Sequence, residues 1–247
     1  MPWAYANNFE DTKASGGYVV KIAAAGTNNS GEPFLRYATT GFSVAPRVTY
    51  IWKDQLEKAL EYAALLEEKN ISVDVVSLPE VTYDRLRNSE LIIIGADTGS
   101  SAIWGTTPAF NAIVESQKPV LGLGEGGYAF FGRLGLTIGY PNGAHSNSIK
   151  SITKYNSADA IWNTPYYFVE TLDPIDLYRD TGNCVSIYLE RIPTDVVPFG
   201  LRPDSKVYYN LLQEETRYTL WSFDDGTGLM TDAGKRLFIN TVYRSMP

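Results

Sequence analysis

One cysteine, Cys184, and one histidine, His145, occur in 247 residues. A lone cysteine excludes an internal disulfide, and it leaves the compartment open, because many exported bacterial proteins have none. A Cys–His catalytic pair would have to use these two residues and no others. No apolar run approaches the ~18 residues of a membrane helix. The N-terminus also lacks the basic-then-apolar pattern of a signal. The chain is then either cytosolic or already relieved of its signal. Basic residues are in the minority, 21 Lys and Arg against 28 Asp and Glu, for a net charge of −7. Such a balance argues against a general nucleic-acid binder, which needs a basic face, and against docking on anionic membranes, so neither nucleic-acid binding nor membrane insertion is expected.

The length fits one large domain, or one domain with a small appendage. At 44% hydrophobic and 20% charged, the chain can bury a core without covalent staples. Aromatic residues reach 13%, with 17 Tyr and 5 Trp. They fit a β-rich core with aromatic girdles, or exposed rings that stack on sugars.

Two regions differ in pattern. In residues 1–45, Tyr18–Ala23 reads as a strand and Phe34–Ala38 as its return. The turn cluster Asn28-Asn29-Ser30-Gly31-Glu32-Pro33 lies between them. The region is expected to be a β-hairpin appendage, or the end of a preceding domain. Residues 46–247 alternate strands and helices. Val48–Trp52, Ile71–Val76, the continuously apolar Leu91–Gly95 and Val120–Leu123 read as strands. Asp54–Lys69 reads as an amphipathic helix with Leu56, Leu60, Ala63, Ala64 and Leu66 as its apolar set, stopped at Asn70. Tyr83–Asn88 and Ala109–Ser116 complete a βαβαβαβ rhythm, which implies a doubly wound parallel sheet of flavodoxin type. In such sheets ligands sit beyond the carboxyl ends of the strands. Residues 136–218, rich in Tyr, Pro, Asp and Thr, are expected to form insertions and an antiparallel extension. Tyr218–Phe223 then reads as a last core strand and Ala233–Arg244 as a terminal helix.

The segment Pro119–Tyr128, Pro-Val-Leu-Gly-Leu-Gly-Glu-Gly-Gly-Tyr, has the outline of a nucleophile elbow: apolar strand, glycine-rich turn, helix start. The raised position holds Gly124, or Glu125 if the register shifts by one. Gly124 is preferred, because the sharp turn needs small residues two before and two after the apex. Further on, Trp221-Ser222-Phe223-Asp224-Asp225-Gly226 precedes Thr231, Gly234, Leu237 and Asn240.

Together, over residues 47–246, these segments resemble the class I glutamine amidotransferase-like superfamily. The first resembles its G-x-C-x-G-x-Q motif. The second resembles its F-H-P-E motif and the T-x-x-G-x-x-L-x-x-N that opens the last helix. The resemblance puts the cysteine, histidine and glutamate of the catalytic triad at Gly124, Asp224 and Gly226, and gives the Glu125 N–H to the oxyanion hole. It is nearest to trehalose-utilisation-type and other noncatalytic relatives with sugar-related roles.

The residues leave several chemistries open. Glu125, Asp224 and Asp97, with Asp225 adjacent, are expected at one crevice. They are candidates for general acid and base, or for oxygen ligands of a hard cation. Gly124, Glu125, Gly126, Asp97, Thr98 and Asp224 are the candidate ligand-binding set. Against this, Asp97 and Thr98 read equally as a cap for the segment they begin. Asp224 and Asp225 read equally as an ordinary turn, and Glu125 as a partner of its helix N–H groups or of Arg133. Cys184 reads as a buried structural residue, and His145, in Pro141–His145, as a surface-turn histidine. No cofactor and no metal site is assigned.

The reading with most support is a noncatalytic glutaminase-like domain that binds a partner or a small polar ligand, carbohydrate included, within a larger protein. The alternative is a carboxylate- or metal-dependent hydrolase using Glu125 with Asp97 or Asp224. A third is a structural module of an extracellular protein, with residues 1–45 as a joint to neighbouring domains. The Tyr-, Asn- and Thr-rich composition and the β appendage lean towards a place outside the cytoplasm.

Overall fold

A computed structural model describes residues 15–168 and 173–247; residues 1–14, counted above into the appendage, lie outside the described residues. The described residues divide into two compact units, one ending at residue 46 and the other beginning at residue 47. In the first, β1 (Gly16–Thr27) and β2 (Pro33–Val44) pair antiparallel without a register shift, from Gly16 opposite Val44 to Thr27 opposite Pro33. The hairpin turn is held by the Asn28 side chain, which accepts from the Ser30 and Glu32 N–H groups. Gly31 takes φ +83° there, a conformation open mainly to glycine.

In the second unit the parallel strands are β3 (Arg47–Trp52), β4 (Ser72–Ser77), β5 (Leu91–Ile94) and β6 (Val120–Leu123). Between them run α1 (Leu56–Glu67), α2 (Tyr83–Leu86), α3 (Ser101–Trp104) and α4 (Pro108–Ser116), and α5 (Gly124–Leu134) follows β6. The extension comprises β7 (Gly143–Ile149), β8 (Ser151–Lys154), β9 (Ile175–Asp176), β10 (Gly182–Tyr188), β11 (Val196–Leu201) and β12 (Tyr208–Glu214). Strand β13 (Tyr218–Trp221) and helix α6 (Asp232–Ser245) close the unit. The sheet order is β4-β3-β5-β6-β13-β12-β11-β8-β9, with β10 joining β12 and carrying β7. From β4 to β13 every neighbour is parallel. From β12 outward every pairing is antiparallel.

Strand β5 shows why the central run is apolar at every position. Its four residues are completely buried, and they alternate between two cores. Leu91 and Ile93 join Tyr62, Leu66, Leu237 and Phe238 of α1 and α6, whereas Ile92 and Ile94 join Ile113, Phe130 and Phe131 of α4 and α5. Helix α1 corrects one expectation. It buries Ala59, Tyr62, Ala63, Leu65 and Leu66, so that Ala63 and Leu66 of the expected set turn inward, and leaves Leu56, Leu60 and Ala64 exposed. Both sets have helical spacing. The ring of Tyr62, packed against Tyr50 and Phe238 at 5.5 and 4.9 Å between centroids, decides which one turns inward. Asn70 ends this helix region at φ +59°.

The late motif serves packing. Thr231 caps α6 by accepting from the Gly234 N–H. A Cβ on Gly234 would overlap the Leu177 carbonyl. Asn240, fully buried, donates to the Ile161 and Tyr166 carbonyls and accepts from the Tyr166 N–H. It ties the 161–166 segment to the helix. No helix among the described residues is long and apolar enough to cross a membrane.

Candidate functional site

The elbow forms where the sequence places it. Strand β6 ends at Leu123, Gly124 takes φ +45°, and α5 begins at once. The apex is therefore Gly124, and Glu125 is the first residue past it. Strand and helix meet backbone to backbone, with the Cα of Gly127 against Gly122, so neither position has room for a side chain. Gly126 packs in the same way on the Gly95 carbonyl and the Thr98 hydroxyl. Thr98, fully buried, donates its hydroxyl to the Gly95 carbonyl at 2.8 Å. Gly126 and Thr98 thus brace the turn.

Above Gly124 lies the carboxylate of Asp224, delivered by the segment after β13. Its Oδ1 accepts the Glu125 N–H at 2.8 Å. A Cβ on Gly124 would overlap this oxygen. The carboxylate therefore fills the space that a side chain at the apex would take. Burial pushes the Asp224 carboxyl up to about 6; the Glu125 N–H and Lys58 oppose this, and the charges of Glu125 and Asp225 add to it. The backbone of the turn is anchored from below. Lys58 donates to the Asp224 carbonyl, and the Tyr62 and Tyr178 hydroxyls donate to the Asp225 carbonyl.

Asp97 has a different task. Its Oδ2 accepts the N–H groups of Lys53, Asp54 and Gln55 at 3.0, 2.7 and 2.6 Å. It holds the β3–α1 turn, not the segment it begins as the sequence allows. Charge-assisted bonds of this kind contribute about 1.5–3 kcal/mol each. Asp97→Ala is expected to cost at least about 2 kcal/mol in urea unfolding. A variant as stable as wild type would mean that the three N–H bonds do not hold the turn.

Asp224 lines two spaces. One is a cavity of about 10 Å³ among Tyr50, Gln55, Lys58, Tyr62, Ala96, Asp97 and Leu123. The other is an open groove of about 550 Å³ with Glu125, His145, Ser146, Asn147, Asn183 and Cys184. The carboxylates thus meet in pairs: Asp224 shares the groove with Glu125 and the cavity with Asp97, and neither of these two spaces is lined by both Glu125 and Asp97. Among the described residues, no group of three or more His, Cys, Asp and Glu side chains is placed to hold a metal ion.

Two groove residues correct the sequence reading. His145 lies on strand β7 and not in a turn, and its Nε2 meets Glu125 Oε2 at 2.7 Å. Glu125 therefore pairs across the groove with His145, the reading that gave it Arg133 notwithstanding. Cys184 is buried, as expected, yet it borders the groove beside Asp224. Burial pushes its thiol up to about 11, away from the reactive thiolate. In the β7–β10 ladder Cys184 stands opposite Ser146, and His145 opposite Val185. Successive strand residues face opposite ways. Cys184 accordingly joins the α1–α6 core, while the His145 ring meets Tyr128 of α5. The only thiol and the only imidazole are on opposite faces of the sheet.

No protein-family model matches the chain, and no curated protein matches it. Solved structures do. A GMP synthase subunit, so assigned, from Thermoplasma acidophilum superposes with a TM-score of 0.53 at 10% identity, over 82% of this chain and 94% of the other. PurLQS from Thermotoga maritima gives 0.52 at 14% identity, over 81% and 99%. A glutamine amidotransferase from Methylobacillus flagellatus gives 0.42 at 13% identity, over 74% and 70%. At such identities the likeness is one of fold: the chain has the flavodoxin-type α/β fold of glutamine amidotransferase-like domains.

Proposed function

We propose that the chain is a noncatalytic glutaminase-like domain that binds a small polar ligand or a partner in the groove beside the elbow. The observation that carries this reading is the Asp224 carboxylate over Gly124, bonded to the Glu125 N–H. On the motif resemblance this N–H belongs to the oxyanion hole, and the triad positions are Gly124, Asp224 and Gly226. A fixed negative charge there repels the oxyanion that acyl transfer from glutamine would generate. The groove lining of amides, a hydroxyl and carboxylates suits a polar ligand, with carbohydrate as one class.

The test is ammonia release from L-glutamine by wild-type protein and Cys184→Ala. Neither is expected to exceed the buffer rate. Release that disappears in Cys184→Ala would overturn the reading. Binding is read separately, by ligand-observed NMR with simple sugars and small polar acids, and is expected to weaken in Asn147→Ala.

A second reading, a carboxylate-dependent hydrolase, draws on one observation. Glu125 and the half-buried Asp224 share the groove, and Asp224 is pushed up to about 6. Two carboxyls in unlike environments can divide acid and base roles. Under that reading p-nitrophenyl glycosides would be cleaved by wild type and not by Glu125→Gln.

A further inference from the structure

The small cavity behind Asp224 holds an unusual group. Tyr50 is 3% exposed, lines the cavity, and has no hydrogen-bond partner for its hydroxyl among the described residues. The hydroxyl is not closed off from solvent, since the described side-chain atoms that are both fully buried and unpartnered are Trp104 Nε1, Gln213 Oε1 and Ser222 Oγ; it is open to an acceptor that enters the cavity. Its size admits about one oxygen atom. The other lining groups define the chemistry of that oxygen. Lys58 uses one N–H on the Asp224 carbonyl and has two left. Asp224 and Asp97 offer carboxylate oxygens, which accept only.

An anion there would meet two carboxylates against one ammonium. A cation would meet Lys58. An atom that both accepts from Tyr50 and Lys58 and donates to a carboxylate satisfies every group, and that atom is a neutral hydroxyl oxygen, of water or of an alcohol. The groove on the other side of Asp224 adds Ser146, Asn147 and Asn183, with Glu125 engaged by His145, and its lining contains neither Lys nor Arg.

We infer that the site takes a neutral polyol, with one hydroxyl seated among Tyr50, Lys58 and Asp224 and the remainder in the groove. This rests on the ligand-binding reading above and names its class.

The experiment uses the whole chain and compares D-glucose and D-sorbitol with D-gluconate and D-glucosamine by ligand-observed NMR. Wild type is expected to bind a neutral polyol at least fivefold more tightly than either charged analogue. Tyr50→Phe removes only the hydroxyl; it is expected to match or exceed wild type in thermal stability and to weaken polyol binding at least fivefold. Equal or tighter binding of gluconate or glucosamine overturns the inference, as does absence of binding by both neutral polyols at 50 mM. Polyol binding indifferent to Tyr50→Phe overturns the cavity's part in it. In each of these cases, binding of another polar compound that weakens in Asn147→Ala would leave the broader reading standing. Glutamine turnover dependent on Cys184 would remove that reading itself.

Discussion

Asp224→Asn is expected to make the folded chain more stable at pH 7, and to flatten its stability between pH 4 and 6. The Asp224 carboxyl goes from 3.8 to about 6 on folding, chiefly through burial. A carboxyl that holds its proton more tightly in the folded state stabilises the fold while protonated. That contribution is complete below about pH 4 and is lost as pH rises through about 6. At pH 7 the ionised group therefore opposes folding, by at most about 3 kcal/mol at 1.36 kcal/mol per pKa unit. Asparagine keeps the shape and the oxygen that accepts the Glu125 N–H, and it removes the charge and the repulsion from Glu125. A gain of about 1–2 kcal/mol is expected in urea unfolding at pH 7, shrinking to nothing near pH 4. Comparing the variant with wild type at each pH cancels the other titrating groups. A variant that is no more stable at pH 7, or that keeps the wild-type slope, would refute this account.

Gly124→Ala is expected to be strongly destabilising, and to be partly rescued by a second change in the segment after β13. At φ +45° an alanine incurs about 1–2 kcal/mol of backbone strain. Its Cβ would also overlap Asp224 Oδ1, which must leave and give up the Glu125 N–H. Overpacking of this kind adds about 1–3 kcal/mol. A total loss of roughly 3–5 kcal/mol follows. In Gly124→Ala with Asp224→Gly the overlap disappears and only the strain remains, so the two changes should fall short of additivity by at least about 1 kcal/mol. Additive losses in a double-mutant cycle would mean that the carboxylate does not rest over the glycine.

What the sequence made legible was mostly local. The apolar run Leu91–Ile94, the turn at Asn28–Pro33 and the glycines around the apex each carry their cause in a few neighbouring residues. The face of α1 did not, because Leu56–Leu60 and Ala59–Tyr62–Leu66 have the same spacing, and the choice depends on Tyr50 and Phe238. Site partners were hidden for the same reason. Asp97 is fixed by N–H groups more than 40 residues earlier. Glu125 meets a histidine that a Pro-Asn-Gly run seemed to confine to a turn, until β10, entering from residues 182–188, drew it into a ladder. The unpartnered hydroxyl of Tyr50 gives no signal in sequence, where an alternating strand residue reads simply as core.

Strand β13 has a consequence for the order in which the chain acquires its structure on the ribosome. It follows every other described strand in the chain, yet it lies between β6 and β12 and bonds to both. Until residues 218–221 emerge, the parallel strands and the antiparallel extension have no hydrogen-bonded seam between them. At about 5–20 residues per second, the edge of β6 waits roughly 5–20 seconds for β13, whereas β12, just upstream, waits about a second. The nascent chain therefore depends during that interval on whatever shields the β6 edge, more than a fold zipped from its first strand to its last would.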